Sequence, residues 1–593
     1  MLEELEGRRV LQSFFQGAST LIDRKEELNK INVFPVADGD TGSNLACLMQ
    51  AILDGVSPDL SSLELILTEV ADAALLGARG NSGIIFAQYL NGIAQAFEKT
   101  EKNADGFVQS LNHAVSEAYQ ALLEPKEGTI LTVIRTWAEA VHKAFFEEHS
   151  LEKALISART AASLAMNQTE FQLEILRKNR LVDSGAKGFY LFIEGFTVAF
   201  SGQLESRVVE KTDLSITAFQ TEMVSERPLY RYCTELLVKN VAVEKDVLQE
   251  KLKNAGDSLI LAGNRRVMKL HIHTNHPRRV LNVVEQYGEL TQQKVDDMLL
   301  QFEVNNQRKY PIALVTDSIA DLPEEFLLEE QVHVLPMNIL VGETSYLDKL
   351  TIDSSLIKEK SNGSEKLSTA QPTLKSVDAL LSFLEDKYEA ILVVTVSSQL
   401  SGTYQLVNQR AKAKGLTNEK FQVIDSKLNS AAQGLLIQEA VKLIKREIPF
   451  KEVCAEVRKI RERCFIYVAV ADLTPMLESG RIPKKIGRWA QRLHLYPIVS
   501  LDSKGNGKLS GIAFSQRHSA KKIVKKIRKL QTKNQLTALA IAHADNSEEA
   551  KRLGTLLDME RFWVEYIVES SAAITGSAGV GSVAIAGIKK EAE

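Results

Sequence analysis

Two aspartates one residue apart, Asp38 and Asp40, lie in the stretch Asn32-Val33-Phe34-Pro35-Val36-Ala37-Asp38-Gly39-Asp40-Thr41-Gly42-Ser43-Asn44. Proline and glycine make this stretch a turn, and on such loosened backbone both carboxylates can face one hard cation. Mg2+ suits the pair, because it takes a few carboxylates and completes its shell with water and phosphate oxygens. Asn32 offers one more oxygen. Taken alone, the simpler reading is an Asx-turn in which Asp40 or Ser43 only caps the next helix. Three further glycine-bearing loops shift that balance: Gly77-Ala78-Arg79-Gly80-Asn81-Ser82-Gly83, Glu127-Gly128-Thr129-Ile130-Leu131-Thr132 and Asp183-Ser184-Gly185-Ala186-Lys187-Gly188. Each precedes a predicted helix, where free amides and the helix dipole favour phosphate. Neither a Gly-x-x-x-x-Gly-Lys-Ser/Thr loop nor a kinase-type glycine-rich strand loop is present, so the familiar nucleotide folds do not apply.

A second group joins Cys233, in Arg231-Tyr232-Cys233-Thr234-Glu235, with His271 and His273, in Lys269-Leu270-His271-Ile272-His273-Thr274. Residues two apart on a strand share a face. Two imidazoles and a thiolate from a neighbouring strand would give Zn2+ three ligands and leave a fourth position open. The alternative left standing is a small buried hydrophobe beside imidazoles that cap a sheet edge.

A third group stands at predicted strand ends: the hydroxyls of Ser318, Thr369 and the run Ser397-Ser398-Gln399-Leu400-Ser401, with Gly480-Arg481-Ile482 as a fourth element. In parallel sheets ligands bind at those ends. Hydroxyls there can hold a carboxylate while apolar segments wall a long cavity. Any one of them singly is a turn or a helix cap.

The elements that must position these groups follow from periodicity. Leu11, Phe14, Phe15, Ala18, Leu21 and Ile22 recur at helical steps, and similar periods run to Met166 with little strand-type alternation before residue 200. An all-helical domain is expected over 1–203, a small mixed α/β domain over 216–308, and a two-lobed α/β domain over 310–593. In the last, strands such as Ile312 to Thr316, Ile391 to Val396, Ile466 to Val470 and Ala538 to Ala542 alternate with helices, as in a parallel sheet. The uncharged stretch Ser570 to Ile588 reads as loop plus close-packed helix. At 593 residues, 45 % hydrophobic and 25 % charged, the chain has room for several cores and is neither disordered nor fibrous. Its net charge of −4 draws it to no nucleic acid. Four scattered cysteines, no secretory signal and no apolar span favour a cytoplasmic protein. The basic runs Lys484 to Arg492 and Lys521 to Lys529 could touch anionic lipid, but such runs are more often solvated helix faces.

Residues 1–203, through the four loops in this order, resemble the DhaL-type nucleotide-binding domain of the dihydroxyacetone-kinase superfamily. The likeness is to the branch found in bacterial fatty-acid kinase catalytic subunits. It implies an antiparallel helical barrel holding ATP through Mg2+, with Asp38 and Asp40 as metal ligands and Asn32 in place of a third, often acidic, ligand. Thr41, Ser43 and Asn44 would then lie near the phosphates, and Gly80, Asn81, Ser82, Thr129, Asp183 and Gly185 would line the pocket. Ala37 stands where Pro is usual, and Ala186-Lys187 where Gly-Gln is usual. The middle region resembles the same kinase through its Tyr-Cys-Thr-Glu and His-Ile-His-Thr elements. That likeness implies a metal-linked role in transfer, with Cys233, His271 and His273 catalytic. From Ile312 onward the chain is similar to the DegV family of fatty-acid-binding proteins, which implies Thr369 and Ser401 or Ser398 as carboxylate ligands. Ser577 falls where that family carries a His that meets the acyl head group, and a serine cannot change charge near neutral pH.

Together these likenesses imply a kinase fused to its acyl-binding partner, making an acyl phosphate from a long-chain fatty acid or related carboxylated lipid. A nucleotide- and lipid-binding sensor without catalysis, or a kinase for a small polyol such as dihydroxyacetone, are the rivals. Peripheral membrane contact, a homodimer and zinc in the middle domain are left open.

Overall fold

The computed structural model describes residues 6–34, 39–202, 227–361, 367–472, 474, 476, 496–534 and 536–591. It divides into two compact units, Met1–Phe302 and Glu303–Glu593.

Among the described residues, the first unit opens with ten helices: α1 (Gly7–Asp23), α2 (Lys25–Lys30), α3 (Thr41–Gly55), α4 (Leu63–Gly77), α5 (Gly80–Glu98), α6 (Ala104–Gln120), α7 (Ile130–Glu148), α8 (Leu151–Gln172), α9 (Glu174–Asn179) and α10 (Ser184–Phe200). The apolar period of α1 is its buried face: Val10, Leu11, Phe14, Ala18 and Leu21 are all inside. That face packs on α10, and the two backbones come close because Gly17 meets Phe192 and Gly195 meets Thr20, where a Cβ would clash. Phe14 sits edge-on to Phe196 at 5.3 Å. Four strands follow, β1 (Tyr232–Lys239), β2 (Asp257–Gly263), β3 (Val267–Thr274) and β4 (Glu289–Asp297). They form one antiparallel sheet in the order β2-β3-β1-β4. Leu123 N donates to Leu259 O and Gly263 N to Gln88 Oε1, so β2 is tied to the helical part.

Among the described residues, the second unit holds three sheets. Strands β5 (Ile312–Asp317), β6 (His333–Leu335), β10 (Ala390–Thr395) and β11 (Phe421–Asp425) make a parallel sheet ordered β11-β10-β5-β6. Strands β7 (Asn338–Val341), β8 (Thr344–Leu347) and β9 (Leu367–Ala370) form a small antiparallel sheet. The third sheet, ordered β14-β13-β12-β17-β15-β16, comprises β12 (Cys464–Ala469), β13 (Tyr496–Leu501), β14 (Gly507–Ala513), β15 (Leu536–His543), β16 (Tyr566–Glu569) and β17 (Val583–Lys589).

Here the structure departs from the sequence expectation twice. The third sheet is mixed, with β15–β16 its parallel pair and the other pairings antiparallel. The stretch Ser570 to Ile588 is helical only over Ala572–Ala578, and it ends in β17, a central strand. Small residues there hid a two-residue period. Gly587 faces Phe465 and Leu539, and a Cβ on it would lie 2.6 Å and 2.7 Å from their side chains. The helix Ser430–Ile444 is buried along almost its whole length, as a helix apolar all round must be, and its core cluster joins residues of the parallel and mixed sheets. Lys484 to Arg492 lies outside the described residues. Lys521 to Lys529 lies on the helix Gln516–Asn534, whose Ala520, Ile523, Val524 and Ile527 are buried, so the lysines occupy its outer face. Among the described residues, no helix is long and apolar enough to cross a membrane.

Candidate functional site

In the first unit a cleft of about 620 Å³ opens between the helix starts and the sheet. One wall is loop and helix: Asn32, Asp40 and Thr41, Asn44 one turn into α3, and Gly80, Asn81 and Ser82 at the start of α5. Asn29 fixes the first turn of α3, accepting from Ser43 N and donating to Ser43 Oγ, each at 3.0 Å. Gly42 is required there, since a Cβ would lie 2.1 Å from Lys25 O. Ser43 therefore serves the helix start and is not on the cleft wall. Asn81 Oδ1 is buried in this wall with no hydrogen-bond partner among the described residues. Asp38 lies outside the described residues.

The opposite wall is one face of the sheet, and the strand register explains its content. His273 pairs with Cys233, and Cys233 with Asp296; one step along, His271 pairs with Glu235, and Glu235 with Lys294. The two-residue period puts all six side chains on the same face, in two cross-strand rows. His271 Nε2 and His273 Nε2 are 3.2 Å apart, and Cys233 Sγ is 3.8 Å from His271 Nδ1. The ligand atoms of Cys233, His271 and His273 all lie within 4.8 Å of one another. A thiol and two imidazoles so close fit one borderline-soft divalent ion. Asp257 stands 3.1 Å from His273 Nδ1, where it can orient the ring as ligand partners do.

Glu235, which sequence reasoning passed over although it closes the Tyr-Cys-Thr-Glu element, is central to this face. Its Oε1 accepts from Gly80 N at 2.6 Å and stands 3.6 Å from His271 Nδ1, while Oε2 faces Lys269 Nζ at 3.6 Å. Burial works to raise its carboxyl pKa, but His271, Lys269 and Lys294 outweigh that and hold it well below the usual carboxylate range. Burial pushes the Cys233 thiol up, with Glu235 and Asp296 adding to it, and burial lowers the basicity of His271. The alternating pattern Cys233, Glu235 facing Asp296, Lys294 was the available signal, but it needed the strand pairing.

Three other sequence-predicted residues do not line the cleft. Thr129 caps α7, its hydroxyl accepting from Leu131 N and donating to Lys126 O. Asp183 caps α10, accepting from Ala186 N at 2.7 Å, and its burial pushes the carboxyl up to about 6. Gly185 lies against Ser82, where a Cβ would come within 2.4 Å of the hydroxyl.

The second unit has a separate, mainly apolar cavity of about 920 Å³. Thr369, Ser401 and Ser577 lie on its wall with Ile319, Leu400 and Ala573. Ser577 Oγ donates to Ala573 O, and Ser401 shares a hydrogen bond with Thr403. Ser318 and Ser398 are not on the wall; Ser318 donates to Asp348 at 2.6 Å and Ser398 to Asp425 at 2.5 Å. Arg481 lies outside the described residues. Sequence reasoning missed Asn429 and Ser430, which line the cavity and start the buried helix; Ser430 donates to the buried Asp321. Asn429 Oδ1 is buried without a hydrogen-bond partner among the described residues.

Comparison with known proteins gives three family matches. The DAK2 domain matches residues 35–198, the middle domain of fatty-acid-kinase-like proteins residues 229–305, and the DegV family of uncharacterised proteins residues 311–590. An uncharacterised protein of Staphylococcus saprophyticus is 33 % identical over 315 residues, 50 % of this chain and 56 % of the relative. One of Staphylococcus aureus is 32 % identical over 310 residues, with the same shares. The chain thus spans little more than half the length of these relatives. Among solved structures, a Thermus thermophilus DegV-family protein described as fatty-acid-binding aligns at 22 % identity with a TM-score of 0.44, over 47 % of this chain and 99 % of its own. The chain carries a DAK2 domain, a fatty-acid-kinase-like middle domain and a DegV domain in that order, the succession expected of a DhaL-type protein fused to a DegV domain.

Proposed function

We propose that this protein is an ATP-dependent phosphotransferase that converts the carboxylate of a bound fatty acid into an acyl phosphate. The observation that carries the reading is the shared cleft of the first unit. It faces Asp40, Thr41 and the Gly80 to Ser82 turn toward a sheet face bearing Cys233, His271 and His273. The DAK2 family implies a nucleotide and a divalent metal, and Asp38 and Asp40, with Asn32, are the residues that would hold Mg2+. Cys233, His271 and His273 would hold zinc. A metal at either place supplies positive charge against phosphate oxygens.

The chain's own groups would do the rest. Amides and side chains at the starts of α3 and α5 bind and orient the phosphates, and Glu235 keeps the Gly80 turn and His271 in fixed relation. Phosphoryl transfer asks for positioning and charge neutralisation more than for covalent chemistry. A carboxylate acceptor is already ionised near neutral pH, so no general base is required of the protein. For the acceptor, support comes from the DegV match and from the apolar cavity with Thr369, Ser401 and Ser577 on its wall, which suits a long acyl chain with a polar head.

The test is ADP release from Mg-ATP with and without oleate, in the full chain and in Asp40→Ala. Oleate-dependent release that falls at least about 100-fold in the variant is expected. Nucleotide binding with no turnover under any condition would refute the enzyme reading in favour of a sensor, and dihydroxyacetone replacing oleate as acceptor would refute the carboxylate.

A further inference from the structure

The register that gathers the histidines also delivers a cation to the cleft. Lys294 stands on β4 opposite Glu235, two strands from His271 in the same row, and its side chain lies on the cleft wall. Its ammonium pairs with Asp296 at 2.5 Å, and 36 % of the side chain remains exposed. Enclosure alone would lower its basicity. The carboxylate of Asp296 beside it favours the charged ammonium. Among the described residues, the cleft wall holds three carboxylates, Asp40, Glu235 and Asp296, against two permanent cations, Arg79 and Lys294. A polyphosphate entering this wall adds negative charge, and of the wall's two permanent cations Lys294 is the one carried on the sheet.

We propose that Lys294 is a catalytic residue whose ammonium contacts the oxygens of the phosphoryl group in transfer. This rests on reading the cleft as the nucleotide site. In the step, the bond between the terminal phosphorus and the oxygen bridging it to ADP breaks, and ADP leaves with the electron pair. An acceptor oxygen forms the new bond to phosphorus. No electron is exchanged with the protein, and Lys294, already protonated, gives up no proton. Its contribution is charge held in place before the reaction by Asp296, so little reorganisation is needed as negative charge spreads over the equatorial oxygens. Asp296 is its positioning residue.

A cation that acts on the transition state is distinguished from one that merely holds the fold by what it binds. In the full chain, the dissociation constants of Mg-ADP and of Mg-ADP with aluminium fluoride are compared for the wild type, Lys294→Met and Lys294→Arg. Lys294→Met is expected to keep Mg-ADP affinity within about threefold, to lose about 100-fold in aluminium fluoride complex affinity, and to lose a similar factor in kcat. Lys294→Arg should recover part of both losses, and it carries the test if the methionine variant does not fold. Equal weakening of both complexes, or no weakening of the fluoride complex, overturns the proposal. Failure of the wild type to bind Mg-ADP, or undiminished binding in Asp40→Ala, marks failure of the nucleotide reading itself and overturns the proposal with it.

Discussion

Replacing Glu235 with Gln should expose how much of the first unit depends on one buried carboxylate. Glu235 is 2 % exposed, and the Lys269 side chain facing it is 8 % exposed, so solvent screens neither. Removing one partner of such a pair leaves an uncompensated buried charge and costs about 3–5 kcal/mol. Glutamine keeps an oxygen that can accept from Gly80 N, which returns about 1 kcal/mol. The expected loss is therefore about 3 kcal/mol. The double variant Glu235→Gln/Lys269→Met removes the stranded ammonium as well, and should fall within about 1 kcal/mol of the wild type. Because Glu235 titrates lower in the fold than unfolded, its stabilisation is fully present above the ordinary carboxylate pKa and is lost as pH falls through the lowered one. The cost of Glu235→Gln should then be flat from about pH 6 to pH 8, the range where unfolded Glu is ionised. Peptide-resolved hydrogen exchange over β1 and β3 is the suitable assay, since tryptophans in both units mix in fluorescence. A loss under about 1 kcal/mol, or a double variant that simply sums the two singles, would refute the view that the pair is a coupled, buried unit.

Asp183, pushed up to about 6 by burial, gives the opposite sign: its charge is disfavoured in the fold, so its contribution improves as pH falls from about 7 toward 4. Between about pH 8 and pH 5 the wild type should gain about 1 kcal/mol relative to Asp183→Asn, read from exchange over α10; identical pH profiles would contradict the burial argument. In the second unit, Ala573→Leu places a larger side chain on the cavity wall and should weaken oleate binding at least about tenfold without lowering the melting temperature; unchanged affinity would remove that cavity as the acyl site. Cys233→Ser should lower bound zinc per chain while the fold is retained, and an unchanged metal content would eliminate the thiol as a ligand.

Helical periods were legible because each apolar face is written in one continuous segment, as Val10 to Leu21 shows. The His-x-His element was legible for the same reason, since its two-residue spacing alone sets both imidazoles on one face of β3. What stayed hidden is everything decided between strands. Nothing near Lys294 or Asp296 in sequence says that β4 lies beside the much earlier β1, so their membership of the cleft awaited the register. The hydroxyl set failed in a similar way. Ser318 and Ser398 carry the same residue type as Ser401 and Ser577, yet they bond to Asp348 and Asp425, distant in sequence, and stand off the cavity wall that the other two line.

That contrast bears on how the cleft could evolve or fail. A one-residue slip of β4 against β1 would turn Lys294 and Asp296 to the opposite face together, because side chains alternate along a strand. The six residues of the two rows would lose two members without any substitution in them. The bulge at Leu237/Val238 in the β1–β4 pairing lies just beyond the Glu235–Lys294 pair, and downstream of it the register shifts by one. The polar rows therefore occupy the regular end of the ladder, where alternation still places Cys233, Glu235, Lys294 and Asp296 on a common face, and the irregularity falls where the neighbours are apolar or solvent-facing.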